Sequence, residues 1–332
     1  NISAAVITGT DNRMDADYTI DIAENADAIT MTIAQNTLIG TVTDGTDAVI
    51  TLSDAGTVTG DADIGKYVLA NVGGTTFTLG DAGQDVTTGN GADIINVAGL
   101  TATGVFNTVN ADTIKLSTGA NIASVDGEGN GAGAALAANT LILLKPAGTG
   151  ASVTMTAEQN NSFTTATTTG TTDQITLSNA VSATGLDSID AYVLAAGAQT
   201  FTLGAASQNV TTGAGAVVIN TGSVANITDA ALNGTAADSL KVIVNADTNI
   251  SAAVITGTGG AQDAAYAIDI AENADAITMT TAQNALIGTV TDGTDAVITL
   301  SNAAAATGDV DISKYVLADG AQTFTLGAAS QD

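Results

Sequence analysis

The chain has 332 residues, with 34 acidic and 6 basic side chains, a formal net charge of −28, one Pro and no His, Cys or Trp. It therefore lacks the parts of a Ser-His-Asp triad, a thiolate nucleophile, a disulfide framework or an ordinary zinc site, and its charge disfavours nucleic acid and anionic lipid. No apolar run reaches the ~18 residues of a membrane-spanning helix.

The chain opens on NISAAVITGT at Asn1–Thr10. DIAEN at Asp21–Asn25 allows one helical turn, and no stretch predicts a helix of ten residues or more. Short strands are predicted at AITMT (Ala28–Thr32), AVITL (Ala48–Leu52), TTFTL (Thr75–Leu79), VTMT (Val153–Thr156) and QITL (Gln174–Leu177). They are rich in Thr, Val and Ile, and apolar residues alternate with Thr in several of them. Gly, Asn, Asp and Ser separate them, as tight turns require. The preference for Asp over Glu, 30 against 4, suits turns better than helices.

The chain repeats itself. Asn1–Thr10 returns unchanged at Asn249–Thr258, and residues 1–70 match 249–318 at 56 of 70 positions. MTIAQN at Met31 reappears as MTAEQN at Met155 and MTTAQN at Met279, each step being 124 residues. YVLA at Tyr67, Tyr192 and Tyr315, and TFTLG at Thr76, Thr200 and Thr323, keep that step within one residue. The organisation read from this is unit 1 over 1–124, a diverged unit 2 over 125–248 and an incomplete unit 3 over 249–332. GAASQD at the C-terminus matches GAASQN at Gly204–Asn209, which runs on into a further strand-like segment. The expectation is a window from a longer repetitive polypeptide.

A shorter rhythm lies beneath. Asp stands two residues before an apolar strand residue at Asp27/Ile29, Asp47/Val49, Asp93/Ile95, Asp112/Ile114, Asp173/Ile175, Asp238/Leu240, Asp275/Ile277 and Asp295/Val297. Several of these neighbours are 19 or 20 residues apart, the spacing of one rung in a β-solenoid. The expected fold is all-β, a β-solenoid or β-helix-like repeat rod; the alternative is a string of β-sandwich domains of about 124 residues each. A sandwich core calls for large side chains, and the chain has only 5 Phe and 5 Tyr.

Asp-bearing turns are the candidate sites, because hard cations such as Ca²⁺ take oxygen ligands. TGNGADIIN at Thr88–Asn96 follows the G-G-x-G-x-D-x-U-x pattern of calcium-binding β-rolls, with Gly89, Gly91, Asp93 and Ile95 in place; Asp85 lies eight residues before Asp93. TDGTDAV sets Asp44 beside Asp47, and its later copy sets Asp292 beside Asp295. GDAD at Gly60–Asp63 returns as GDVD at Gly308–Asp311. The competing reading is that these carboxylates cap backbone N–H groups in Gly-rich turns. Thr-x-Thr triplets such as Thr30/Thr32, Thr76/Thr78 and Thr154/Thr156 read as outward strand positions. A catalytic site is expected to be a single break in a repeat; here the features recur, Arg13 is the one Arg, and the Lys residues lie far apart. The chain is read as no enzyme.

The runs TFTLGAASQNVTTGAGA and TTGNGADIIN resemble the β-strand-repeat regions of very large secreted bacterial proteins, RTX-type adhesins and surface-layer proteins. The resemblance implies export, folding assisted by extracellular Ca²⁺, and a place in adhesion or in surface fibres and lattices. The expected protein is an extracellular structural repeat that forms a fibre, stalk or surface layer by self-association, with calcium as its candidate cofactor. The alternative is the spacer of a large adhesin. The expected partners are further copies of itself and cell-surface polysaccharide, without nucleic acid or membrane insertion.

Overall fold

A computed structural model describes residues 18–21, 28–43, 48–109, 111–128, 131–133, 135–137, 140–145, 149–170, 172–224, 226–228, 231–233, 240–244, 247–256, 266–270, 276–291 and 296–332. It divides into two compact units, Asn1–Asp173 and Gln174–Asp332. Asp44, Asp47, Asp292 and Asp295, and the turn proposed after Asp21, lie outside the described residues.

In the first unit, two six-stranded sheets share the chain alternately. One takes Ala28–Met31, Val49–Leu52, Lys66–Val68, Asp85–Thr87, Val105–Asn107 and Asp126–Gly127 in that order. The other takes Thr57–Thr59, Thr76–Thr78, Ile94–Ala98, Thr113–Ser117, Thr140–Leu144 and Thr165–Thr168. Each strand pairs in parallel with the strand one coil on: Lys66 faces Asp85, and Thr76 faces Ile94. Those separations, 19 and 18 residues, are the short rhythm of the sequence. The unit is a parallel β-solenoid. Parallel pairing also rules out the sandwich string, whose sheets are antiparallel.

Alternation makes the core. In Lys66–Val68, Thr76–Thr78 and Asp85–Thr87 only the central residue is buried. Parallel register then stacks like positions into columns: Ile50, Tyr67, Val86 and Phe106 in one sheet, and Val58, Phe77, Ile95, Ile114 and Leu141 in the other. All are buried; full burial of one such side chain is worth about 1.5–3 kcal/mol. Tyr67, Phe77 and Phe106 sit in this core. Tyr67 packs on Phe77 at 4.7 Å, Tyr192 on Phe201 at 4.8 Å and Tyr315 on Phe324 at 4.8 Å, with nearly the same tilt each time.

The second unit follows the same plan. Gln174–Leu177, Ala191–Val193, Asn209–Thr211, Ala231–Asn233 and Val254–Thr256 run in order in one sheet. Ala183–Thr184, Gln199–Thr202, Val217–Asn220, Leu240–Val244, Tyr266–Ile270 and Ile287–Thr291 form the other. Two further ladders, Thr248–Asn249 to Lys314–Val316 and Ala306–Thr307 with Phe324–Thr325, complete it.

The ladders step sideways where the long repeat restarts. In the first unit Ser152–Met155 does not extend the sheet that ends at Asp126–Gly127; its Thr154 bridges to Asn121, itself bridged to Thr101. In the second, Asn226 bridges to Asn249, whose strand pairs with Ala276–Met279. A single helical turn marks each step: α1 (Ile33–Asn36), α2 (Ala157–Ser162) and α3 (Thr281–Asn284). Each opens with a capping box between Thr32 and Gln35, Thr156 and Gln159, or Thr280 and Gln283. The second Thr of three Thr-x-Thr triplets is thus a helix cap and not a strand residue. α1 and α3 sit over the first strand of a new ladder: Asn36 Nδ2 donates to the Thr59 carbonyl at 3.2 Å, and Asn284 Nδ2 to the Thr307 carbonyl at 2.9 Å.

Candidate functional site

Of the Asp residues in the short rhythm, Asp93, Asp112 and Asp173 are described, and all three are fastened to backbone. Asp93 is wholly buried; Oδ1 accepts the Thr75 N–H at 2.6 Å, from the preceding coil, and Oδ2 accepts the Gly89 N–H of its own turn at 2.8 Å. Asp112 repeats the arrangement one coil on. Its Oδ1 accepts the Asp93 N–H at 2.9 Å, and its Oδ2 accepts the Val109 N–H at 2.8 Å and the Thr88 hydroxyl at 2.6 Å. Asp173 accepts the Ala151 N–H at 2.7 Å and the Gly170 N–H at 3.2 Å. In these three the carboxylate closes its own turn and reaches back to the coil before it, as a coil-to-coil clamp; Asp27, Asp47, Asp238, Asp275 and Asp295 lie outside the described residues. Burial pushes the Asp93 carboxyl above the ordinary carboxylate range and the Asp112 charge adds to this, while the Thr75 and Gly89 bonds pull the other way.

The remaining residues of the β-roll pattern have positions of the same kind. A side chain at Gly89 would collide with the Ala70 carbonyl, and one at Gly91 with the Gly73 carbonyl, both in the preceding coil. Asp85 accepts the Val105 N–H at 2.7 Å from the following coil. Asp61 accepts the Asp63 N–H, and Asp309 the Asp311 N–H, each at 3.0 Å within its turn. Asp85, Gly89, Gly91 and Asp93 thus lie along one coil, each set against a neighbouring coil. Among the described residues no three acidic side chains converge as a metal-binding group.

A second set of clamps uses Gln. Gln84 is buried; its Nε2 donates to the Asp61 and Ile64 carbonyls of the preceding coil, and its Oε1 accepts the Gly80 N–H at 2.8 Å. Gln208 bonds in the same way to Leu186, Ile189 and Gly204, and Gln331 to Asp309, Ile312 and Gly327. Gln159 and Gln283, from the helical turns, reach Ile122 with Val125 and Ile250 with Ala253. Around each coil Gln the same partners recur. Tyr67 accepts the Asp61 N–H at 2.8 Å and donates to Asn36 at 3.1 Å; Tyr315 accepts the Asp309 N–H at 2.8 Å and donates to Asn284 at 3.2 Å. MTIAQN and its copies mark the long repeat, and their Thr-x-x-Gln spacing is the local signal of these capping boxes. The coil Gln residues carry no local signal.

At the steps lie two open clefts of about 460 and 380 Å³. The larger is lined by Asn284, Ile287, Thr307, Gly308 and Asp309, the smaller by the equivalent Asn36, Ile39, Thr59, Gly60 and Asp61. Their walls combine hydroxyl, amide and carboxylate groups with small and branched apolar side chains, and no aromatic side chain is among the lining residues. Among the described residues no helix is long and apolar enough to cross a membrane.

The fold and its clamps define a class: a parallel β-solenoid repeat chain held by buried polar ladders. No family model, no curated protein and no solved structure matches the chain.

Proposed function

We propose that this is an extracellular structural repeat protein, without enzymatic activity, that forms a fibre, stalk or surface layer by self-association, with calcium assisting at its Asp-bearing turns. One observation carries the reading. The joint of Gly60, Tyr67, Phe77, Gly80 and Gln84 is rebuilt at Gly185, Tyr192, Phe201, Gly204 and Gln208, and again at Gly308, Tyr315, Phe324, Gly327 and Gln331. A repeat that rebuilds its own coil-to-coil joint extends by adding copies, with no new fold to evolve. Near-identical copies also present near-identical surfaces, which favours ordered assembly. The residues that recur are those a scaffold needs.

The test is assembly of the purified chain. Electron microscopy and sedimentation velocity, with and without millimolar Ca²⁺, are expected to show filaments or sheets. A chain that stays monomeric in every condition overturns the reading and favours a spacer role.

A further inference from the structure

We propose that Asn90–Gly91 is a site of spontaneous covalent modification, at which the Asn90 side chain cyclises onto the Gly91 nitrogen and reopens as isoaspartate, loosening the Asp93 clamp. The inference stands apart from the function proposed above. It concerns a position that the β-roll pattern leaves unspecified.

Asn90 is exposed in the turn between Asp85–Thr87 and Ile94–Ala98. Its neighbour is Gly, so no Cβ crowds the approach of the Gly91 nitrogen to the Asn90 carboxamide carbon. The turn is held on either side of the pair: the Gly89 N–H donates to Asp93 Oδ2, and the Ile94 N–H to the Thr75 carbonyl, both at 2.8 Å. Among the described residues no hydrogen bond engages the Asn90 side chain or the Gly91 N–H. The nitrogen is therefore free to lose its proton and attack.

The repeat supplies a comparison. The same turn in the next unit reads TGAGA, with Ala214 and Gly215 in these places, and Ala carries no carboxamide. The Asn–Gly pair is thus a break in the repeat and not part of its scaffold. Two further pairs, Asn130–Gly131 and Asn233–Gly234, each include a residue outside the described ones.

The bond from the Gly91 nitrogen to Asn90 Cγ forms as the Cγ–Nδ2 bond breaks. The amide proton and the carboxamide nitrogen leave together as ammonia, and a five-membered succinimide remains. Water then opens the ring. Attack at Cγ gives an ordinary aspartate; attack at the main-chain carbonyl gives isoaspartate, whose backbone runs through the former side chain and is longer by one methylene. The turn has no room for that length. A Cβ on Gly91 would collide with the Gly73 carbonyl of the preceding coil, and one on Gly89 with the Ala70 carbonyl. Lengthening the chain between these two contacts draws the Gly89 N–H away from Asp93 Oδ2.

The test ages the folded full chain in mildly alkaline buffer and digests it after Lys66 and Lys115. The Tyr67–Lys115 peptide is then read by mass spectrometry with electron-transfer fragmentation, against a chain digested without ageing. Asn71 is the internal reference, exposed in the same peptide but followed by Val72. Conversion at Asn90 is expected to run at least about tenfold faster than at Asn71, with isoaspartate among the products. In the aged fraction, separated by its extra charge, the Gly89 amide should exchange hydrogen faster than in the fresh chain. Asn90→Ala should keep its exchange pattern unchanged on ageing. Equal rates at Asn90 and Asn71, conversion at Asn90 only in chain unfolded by urea, aspartate without isoaspartate, or unchanged exchange at Gly89 overturns the proposal.

Discussion

The amide of Gln84 fills the space that a side chain at Gly60 would need: a Cβ on Gly60 would lie 2.7 Å from the Gln84 Oε1 and 2.7 Å from the Phe77 ring. The pair recurs as Gly185 with Gln208 and as Gly308 with Gln331. Gly60→Ala should therefore cost about 1–3 kcal/mol by overpacking, read as a lower urea midpoint at unchanged slope. Gln84→Leu should cost more than Gly60→Ala, because it strands the Asp61 and Ile64 carbonyls and the Gly80 N–H, each worth about 1–3 kcal/mol if left unsatisfied.

Asp112→Ala removes the acceptor for the Asp93 N–H, the Val109 N–H and the Thr88 hydroxyl at once. The expected loss is at least about 3 kcal/mol, measured by urea unfolding. Hydrogen exchange should quicken most at the amides of Asp93 and Val109; protection left intact there would count against the clamp.

The raised carboxyl of Asp93 gives a pH dependence of defined sign. Its folded-state pKa lies above its unfolded value of about 4, so the folded chain holds the proton more tightly. That contribution is complete below pH ~4 and is lost as pH rises through the folded value. Unfolding free energy followed from acid upward should fall through this window in the parent chain. Asp93→Asn should abolish that share of the fall, at the cost of one N–H left without an acceptor.

The buried tyrosines act at the other end of the pH scale. Burial pushes the Tyr315 hydroxyl up to about 12 and raises those of Tyr67 and Tyr192 as well. Their neutral forms support the fold fully below the ordinary value of about 10, and this support is lost as pH rises through the folded values. Absorbance titration should find Tyr67, Tyr192 and Tyr315 ionising late, together with unfolding. Tyr67→Phe should cost about 1–2 kcal/mol, since it removes two hydrogen bonds and keeps the contact with Phe77.

Calcium binding is proposed for the Asp-bearing turns. Millimolar Ca²⁺ should raise the melting midpoint, and Asp44→Asn with Asp47→Asn should shrink the rise. An unchanged midpoint in Ca²⁺ and in chelator would remove calcium from the account.

How much of this was written in the sequence can be judged from particular residues. The 19- and 20-residue steps between Asp residues such as Asp93 and Asp112 announced the coil length, and Lys66 opposite Asp85 bears it out. Alternation in TTFTL placed Phe77 inward, because a strand's side chains alternate between faces whatever lies beyond them. These are local consequences, and local pattern is what a sequence displays. It did not show that Asp93 points back to Thr75 rather than outward, because that depends on the coil beneath, 18 residues away.

The sequence by itself determined the repeat, the strand and turn chemistry, and the absence of His and Cys. It favoured a stacked solenoid over a string of β-sandwich domains, and the parallel pairing of Lys66 with Asp85 and Thr76 with Ile94 decided between them. Only the tertiary structure decided where the ladders step, which Gln residues clamp coil to coil, and why three Thr residues leave their strands to cap helical turns. The Gln clamps satisfy backbone carbonyls of another coil, which are there to be met only once that coil is in place, whereas each Thr cap is closed within its own turn. The −28 of the composition is likewise divided by the fold, between solvated turns and carboxylates such as Asp93 and Asp112 that are buried as hydrogen-bond acceptors.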